Sequence, residues 1–238
     1  MDTLRVEAKG VRMIAHRGLS GIEAENTAAA FIAAANRSYF GIETDVHKTA
    51  DGNYVVIHDD TTGRVAERNI PVEDTALAEL RRLALIDRDG STRIDLRIPT
   101  LQEYLSICRR YRKVGVLEFK NKFSSGEIAE ILQIIREVYD LQKMLFISFS
   151  LSNLLELRRI FPQARAEYLV SEWDDQLLEL LPAQRLGLDI DYRVLNRELV
   201  KRIKQKGILL NAWTCDDTAD AKKLIQWGVD QITTNILE

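Results

Sequence analysis

Short segments rich in β-branched residues alternate with longer segments of helical periodicity along the whole chain of 238 residues. Strands that are separated by helices pair in parallel through right-handed crossovers. About eight such strand–helix units follow one another, in close to the roughly 250 residues that a barrel of eight units typically needs. The sequence therefore predicts an α/β fold, a single (β/α)8 TIM barrel.

A doubly wound open sheet is the rival arrangement, and it normally carries a glycine-rich phosphate loop after its first strand. The corresponding stretch reads HRGLSGIEAEN over residues 16–26 and lacks that loop. Residues 59–99 are mostly polar, and we interpret them as a short insertion after the second strand, too small for a capping domain. Residues 1–238 are accordingly expected to form one domain that includes this insertion.

Charge and composition restrict the classes of partner. The chain has 33 basic and 36 acidic residues and no basic run, so no nucleic-acid partner is expected. Two cysteines cannot form a disulfide framework or a cysteine-rich metal site. No stretch approaches the roughly 18 apolar residues of a membrane span, and the N-terminus lacks the apolar core of a signal peptide. These features predict a cytoplasmic protein without a membrane span, and they favour no particular oligomeric state.

Three acidic residues lie where the predicted barrel strands end. Glu43 and Asp45 stand two residues apart on one predicted strand, so both side chains leave it on the same face. Glu118 lies in an otherwise apolar strand, and the carboxyl ends of parallel barrel strands converge. Neighbouring carboxylates repel unless protons or a cation intervene. The set suits one hard divalent cation, Mg²⁺ or Ca²⁺ with Mn²⁺ also accepted, although each carboxylate could instead pair with a nearby Lys or Arg.

The chain contains three histidines, and two of them, His16 and His58, close predicted strands beside these carboxylates. Imidazole exchanges protons near neutral pH, so this pair offers a general acid and a general base, in either order. His47 shares the strand parity of the carboxylates but follows them, and we expect a supporting role only.

Two basic residues and one aromatic residue complete the candidate site. Three carboxylates around one divalent ion leave a formal charge of about −1, which Arg17 and Lys120 can offset while they hold phosphate oxygens. An internal ion pair between Lys120 and Glu118 is compatible with that role. Trp213 ends a predicted strand and either packs in the barrel wall or shapes a small polar substrate pocket. Asn26 precedes a helical run and is interpreted as its N-cap in preference to a substrate contact.

The ordered series of short motifs resembles the glycerophosphodiester phosphodiesterase family. Singly, motifs such as HRG or HD are weak, but the series spans nearly the whole chain. The motifs are HRG at 16–18, ENT at 25–27, ETD at 43–45, TADG at 49–52, HD at 58–59, LEFK at 117–120, SFS at 148–150, AWT at 212–214 and GVDQITTN at 228–235.

This resemblance implies a TIM barrel that hydrolyses a small glycerophosphodiester to sn-glycerol 3-phosphate and an alcohol. Attack by water and attack by the neighbouring glycerol hydroxyl, through a cyclic phosphate, both remain compatible with the residues. The resemblance also implies a role for each candidate residue: a divalent cation on Glu43, Asp45 and Glu118, acid–base catalysis by His16 and His58, and phosphate contacts by Arg17 and Lys120.

Two alternatives use the same residues, and two positions depart from the family pattern. A phosphodiesterase acting on lysolipids would need an apolar groove at the barrel mouth, and a non-catalytic phosphodiester-binding barrel would have lost a histidine or a ligand. Ala24 replaces the proline that usually precedes the ENT motif. Asn235 replaces an aspartate that usually ends the last strand, a change expected to affect the rim and none of the core chemistry.

Overall fold

A computed structural model, which describes residues 2–238, contains a closed barrel of eight parallel strands and one added antiparallel strand. The first and last strands of the barrel pair with each other, and the first also pairs with the second, which closes the sheet. The TIM-barrel prediction is thereby confirmed. The strands are β1 (Arg12–Ala15), β2 (Gly41–Lys48), β3 (Tyr54–Val56), β4 (Val114–Phe119), β5 (Met144–Ser148), β6 (Ala166–Val170), β7 (Gly187–Asp191), β8 (Leu210–Trp213) and β9 (Gln231–Thr234).

The helices lie between the strands in sequence and cover the barrel. They are α1 (Ala28–Ala35), α2 (Leu77–Leu80), α3 (Leu101–Tyr111), α4 (Ser125–Val138), α5 (Leu151–Ile160), α6 (Leu177–Gln184), α7 (Arg197–Gln205) and α8 (Thr218–Trp227). Thr100 caps α3, because its hydroxyl accepts from the Glu103 amide and the Glu103 carboxylate accepts from the Thr100 amide. No helix within residues 2–238 has the length and apolar character needed to cross a membrane.

The start of α1 corrects one expectation. The N-cap is Thr27, whose hydroxyl accepts from the Ala30 amide, whereas Asn26 was expected to fill that position. Asn26 instead has a φ of 51°, in the left-handed region that asparagine tolerates better than most residues. That turn directs its side chain toward the barrel mouth and frees it for another contact.

Strand β3 is antiparallel to β2, and residues 59–99 follow β3 rather than the barrel strand itself. These residues, hereafter the insertion, hold one short helix, α2, and otherwise turns and bends. Their apolar side chains form a second cluster against β3 and the chain before α1. The buried members are Ala24, Val55, Ile57, Ala66, Val72, Leu80, Leu83, Leu85, Leu96 and Ile98.

The barrel interior is divided between apolar and polar side chains. An apolar cluster in the barrel includes Ile14, Val116, Leu145 and Leu169. The later strands also carry buried polar residues, among them Glu167 and Asp189. TIM-barrel interiors are usually packed with Val, Ile and Leu, so these buried carboxyls are a departure from that pattern.

Candidate active site

Adjacent strands bring the three predicted carboxylates together at the barrel mouth. Asp45 of β2 is paired in register with Glu118 of β4, and Glu43 lies one pleat earlier on β2. One oxygen of each carboxylate lies within 4.8 Å of the others, and all three residues are buried. Asp45 Oδ1 and Glu118 Oε1 accept no hydrogen bond. Buried carboxylate oxygens without donors are the ligands that a hard divalent cation requires, so these residues fit the expected metal.

The pKa values of these carboxyls show the cost of their proximity. Burial raises the pKa of Glu43 well above its ordinary value, and the neighbouring Asp45 and Glu118 raise it further. Burial and the charge of Asp45 raise the pKa of Glu118 to about 8. Burial opposes ionisation of Asp45 as well, but Arg17 and Lys120 outweigh it and hold its pKa below the ordinary value. The trio therefore needs protons or a cation before all its members can lie this close.

The two basic residues flank this carboxylate group. Lys120 Nζ lies 3.1 Å from Glu118 Oε1 and 3.7 Å from Asp45 Oδ1. Arg17 Nε lies 3.7 Å from Asp45 Oδ2, and its backbone amide donates to Glu43 Oε2 at 2.7 Å. Lys120 thus contacts Glu118 and forms the anticipated ion pair whenever that carboxyl is ionised, and Arg17 faces the same carboxylates from the loop after β1.

His16 follows β1 and is held by Asn235, the residue that departs from the family pattern. Asn235 Nδ2 donates to Asp216 Oδ2 at 2.6 Å, so the amide oxygen must face His16 Nδ1, 2.8 Å away. An amide oxygen only accepts, so the proton of neutral His16 resides on Nδ1 and the lone pair on Nε2. Burial and the charge of Arg17 lower the pKa of His16 to about 4, which keeps the ring neutral.

The contact between Asn235 and His16 contradicts one sequence expectation. We expected the replacement at 235 to concern only the rim, yet this side chain touches a candidate catalytic histidine. The other departure, Ala24, is buried in the cluster beneath the insertion.

His58 follows β3 and has a partner of different chemistry. Its Nδ1 lies 2.5 Å from Asp59 Oδ1, so the ring donates to a carboxylate rather than to an amide. Burial, together with the charges of Arg17 and Lys120, lowers the pKa of His58 below its ordinary value, although the charge of Asp45 and the hydrogen bond to Asp59 act in the opposite direction. His47 is fully buried, with Nδ1 3.1 Å from Glu73 Oε1 and Nε2 3.4 Å from the carbonyl oxygen of His58. A supporting role for His47 stays a prediction, and its contact with the His58 carbonyl is compatible with that role.

Several residues at the site were missed or misread in the sequence. Asn26 donates from Nδ2 to Asp45 Oδ2 at 2.8 Å and accepts from the Thr44 hydroxyl at 2.6 Å. Asparagine and threonine are both good N-caps, so the sequence does not show which of Asn26 and Thr27 caps α1. The left-handed backbone of Asn26 decides this, and apart from the asparagine itself nothing in the sequence indicates it. Arg64 of the insertion donates to Glu25 and Asp59. Arg64 lies in the insertion, whereas the predicted candidates all lie at or near the ends of strands.

Six of the eight candidate residues line one cavity of about 90 Å³ at the barrel mouth, and the other two, Asp45 and Lys120, contact Glu118 or its neighbours from outside that lining. His16, Arg17, Glu43, His58 and Glu118 form its polar part, and Ile147, Phe149, Leu169 and Trp213 are among its other lining residues. Trp213 packs edge-to-face on Phe149 with ring centroids 5.7 Å apart, and its buried Nε1 has no hydrogen-bond partner. The Phe149 side chain, which we did not predict, is 44% exposed at the entrance.

Comparisons with known proteins agree with this geometry. Residues 16–238 match the model of the glycerophosphoryl diester phosphodiesterase family. A glycerophosphodiester phosphodiesterase of Caldanaerobacter subterraneus subsp. tengcongensis is 31% identical over 94% of this chain and 93% of its own. One from Bacillus subtilis is 27% identical over 93% and 82%. The structure of an Oleispira antarctica phosphodiesterase in complex with the product sn-glycerol-3-phosphate is similar at a TM-score of 0.86, with 27% identity over 98% and 96%. The chain therefore belongs to the glycerophosphoryl diester phosphodiesterase family.

Proposed function

We propose that this protein is a divalent-cation-dependent phosphodiesterase that converts a glycerophosphodiester to sn-glycerol 3-phosphate and an alcohol. The observation that carries the proposal is the single cavity in which His16 and His58 line the same space as Glu43 and Glu118. Family membership supports the reaction class, and the related Oleispira antarctica enzyme was solved with sn-glycerol-3-phosphate, the expected product.

The carboxylates of Glu43, Asp45 and Glu118 would hold the cation, which we propose to be Mg²⁺ or Ca²⁺, with Mn²⁺ also compatible with oxygen ligands. When bound there, a divalent cation supplies Lewis acidity toward a phosphate oxygen and a template for orienting the diester. Asn26 supports the set, because its amide fixes Asp45 Oδ2 and leaves Asp45 Oδ1 without a donor.

Arg17 and Lys120 would bind the phosphate. Each side chain is 16% exposed, so both charges are largely withdrawn from water yet remain at the edge of the site. Arg17 offers a planar fork and Lys120 a point charge, a combination that suits two oxygens of one phosphate. Both also compensate the surplus negative charge of the carboxylates, which would otherwise repel an anionic diester.

His16 would act as the general base. Its Nδ1 proton is fixed by Asn235, so Nε2 is the atom that can take a proton from the attacking hydroxyl, whether of water or of the glycerol. The low pKa keeps that nitrogen unprotonated at neutral pH.

His58 would act as the general acid. The Asp59 carboxylate on Nδ1 stabilises the imidazolium, which donates from Nε2 to the departing alkoxide. The two histidines thus differ in their partners, one an amide and the other a carboxylate, and this difference supports the proposed roles.

The cavity favours a small diester over a lysolipid. A lysolipid would need an apolar groove at the mouth, and Phe149 is the one lining side chain that is large, apolar and exposed there. We propose that Trp213 contacts the substrate through its unpartnered Nε1. The insertion shares its apolar cluster with β3 and Ala24, so we propose that residues 1–238 work as one domain.

The histidine assignment is tested by changing the leaving group. His16→Ala should lose turnover of both glycerophosphocholine and a glycerol p-nitrophenyl phosphodiester, because both need the base. His58→Ala should lose turnover of the choline ester but retain much of the p-nitrophenyl reaction, because that leaving group departs without a proton. Circular dichroism and cation binding control for folding. Full activity of either variant toward glycerophosphocholine would contradict the proposal, and equal losses of His58→Ala on both substrates would contradict its assignment as the acid.

A further inference from the structure

Alternating charges connect Arg17 to His58 along the rim of the barrel, and they pass through Arg64 of the insertion. Arg17 Nη1 donates to Glu25 Oε1 at 2.9 Å, and His58 Nδ1 lies 2.5 Å from Asp59 Oδ1. Between these pairs, Arg64 contacts both carboxylates. It reaches Glu25 at 2.7 and 2.8 Å and Asp59 at 2.6 and 3.1 Å. Each carboxylate is therefore shared between Arg64 and one residue of the candidate site.

The contacts of Arg64 depend on the shape of its guanidinium group. Nε and Nη2 face Asp59, while Nη1 and Nη2 face Glu25, so the planar group binds each carboxylate with two hydrogen bonds. A lysine ammonium is a point charge and cannot reproduce two such forks at once. The hydrogen bonds from Arg64 also hold the pKa of Asp59 well below its ordinary value, so the partner of His58 stays ionised.

The backbone around Arg64 is fixed by the insertion. The Val65 amide donates to the Thr62 carbonyl at 3.0 Å, and the Ile86 amide donates to the Val65 carbonyl at 2.9 Å. Ala66, two residues after Arg64, is 3% exposed within the cluster that joins the insertion to β3. The insertion thus presents one partly exposed arginine to the rim from a well-packed support.

We propose that Arg64 is a positioning residue that fixes the phosphate-binding Arg17 and the proton donor His58 in one hydrogen-bonded unit. It acts through Glu25 and Asp59 and does not itself touch the substrate. The expected effect on catalysis rests on the proposed function. The restraint of His58 by Arg64 through Asp59 does not, because it requires neither substrate nor cation. The insertion thereby has a catalytic purpose besides covering β3.

The hold on His58 can be observed without substrate. The chain has three histidines, so selective ¹⁵N-histidine labelling gives a simple spectrum. The His58 Nδ1 proton should resonate far downfield, because its partner carboxylate is 2.5 Å away. Arg64→Gln should shift that resonance and speed its exchange with water, while the His16 resonances stay in place. Arg68→Gln is the matched control, since Arg68 lies in the same segment and pairs with Glu79 on the surface.

Turnover of glycerophosphocholine gives the catalytic readout. Arg64→Gln should lower kcat at least tenfold with unchanged cation affinity, Arg64→Lys should restore only part of it, and Arg68→Gln should match the wild type. An unmoved His58 resonance, unchanged kcat in Arg64→Gln, or full restoration by lysine would each overturn the proposal. A shifted resonance in a protein whose wild type lacks turnover would refute the proposed function and leave the hold of Arg64 on His58 established.

Discussion

Replacement of Glu118 by Gln should stabilise the cation-free protein while it removes stabilisation by cations. Glu118 is 7% exposed, and burial together with Asp45 raises its pKa from 4.5 to about 8. Below pH 4.5 the carboxyl is protonated in the folded and unfolded states alike, so it contributes nothing to pH dependence. Between 4.5 and 8 the unfolded chain releases the proton and the folded chain retains it, so stability falls as the pH rises.

The magnitude follows from that interval. At pH 7 the wild-type protein has lost stability over about 2.5 pH units at up to about 1.4 kcal/mol each, and because the slope is smaller near both pKa values the total is about 3 kcal/mol. Glutamine resembles the protonated carboxyl and has nothing to ionise in the unfolded state, so Glu118→Gln removes this cost. In a domain of this size, about 3 kcal/mol corresponds to a rise in Tm of roughly 6–12 °C.

Urea and thermal unfolding at pH 5 and pH 7, with chelator and with added Mg²⁺, measure both effects. In chelator the variant should be the more stable protein at pH 7 and nearly equal to wild type at pH 5. Added cation should stabilise the wild type in proportion to its occupancy and leave the variant unchanged. Glu172→Gln, at an exposed glutamate, is the matched control. A variant less stable than wild type in chelator at pH 7, or a difference independent of pH, would refute the reasoning.

Three further predictions concern the same residues. Cation affinity should fall as the pH drops below about 8, because the proton on Glu118 must leave; calorimetry in buffers of different ionisation enthalpy should detect proton release at pH 7, and its absence would contradict the pKa of Glu118. Asn235→Asp should move the acidic limb of the kcat/KM profile to higher pH than the roughly pH 4 of the wild type, because a carboxylate on Nδ1 stabilises protonated His16; at saturating cation, an unmoved limb would count against His16 as the base. Asn26→Ala should weaken cation binding about tenfold by freeing Asp45, with Asn36→Ala on the exposed end of α1 as control; equal affinities in a titration would exclude that support.

The elements that repeat with a regular period were predictable from the sequence. Most barrel strands are short apolar runs followed by a helix, and this order predicts parallel pairing and places the strand ends on one face. Glu43, Asp45 and Glu118 could be grouped for that reason, because a residue's position along a parallel strand fixes its height in the barrel. The cap at Thr100 was equally local, since both of its partners lie within three residues.

The contacts that orient the site could not be read in the same way. Arg64 lies in a polar stretch without periodicity, and its partners Glu25 and Asp59 are brought together only by the packing of the insertion. Asn235 follows β9 and His16 follows β1, so their contact depends on the closure of β9 against β1, and Asp216, which orients Asn235, lies on the loop after β8. Asn26 required a left-handed backbone that its neighbours do not specify. The positions of Arg64, Asn235 and Asn26 depend on the conformations of loops that are distant in sequence, whereas the positions of the three carboxylates follow from the strands that carry them.

The most direct test of the account is the release of sn-glycerol 3-phosphate by the wild-type protein. Glycerophosphocholine, glycerophosphoethanolamine and lysophosphatidylcholine would each be supplied in chelator and then with Mg²⁺, Ca²⁺ or Mn²⁺ added back. We predict release from the two small diesters, loss of that release in chelator, and recovery with at least one of the three cations. Undiminished release in chelator, or release of choline from the lysolipid alone, would contradict a cation-dependent glycerophosphodiesterase built on Glu43, Asp45 and Glu118.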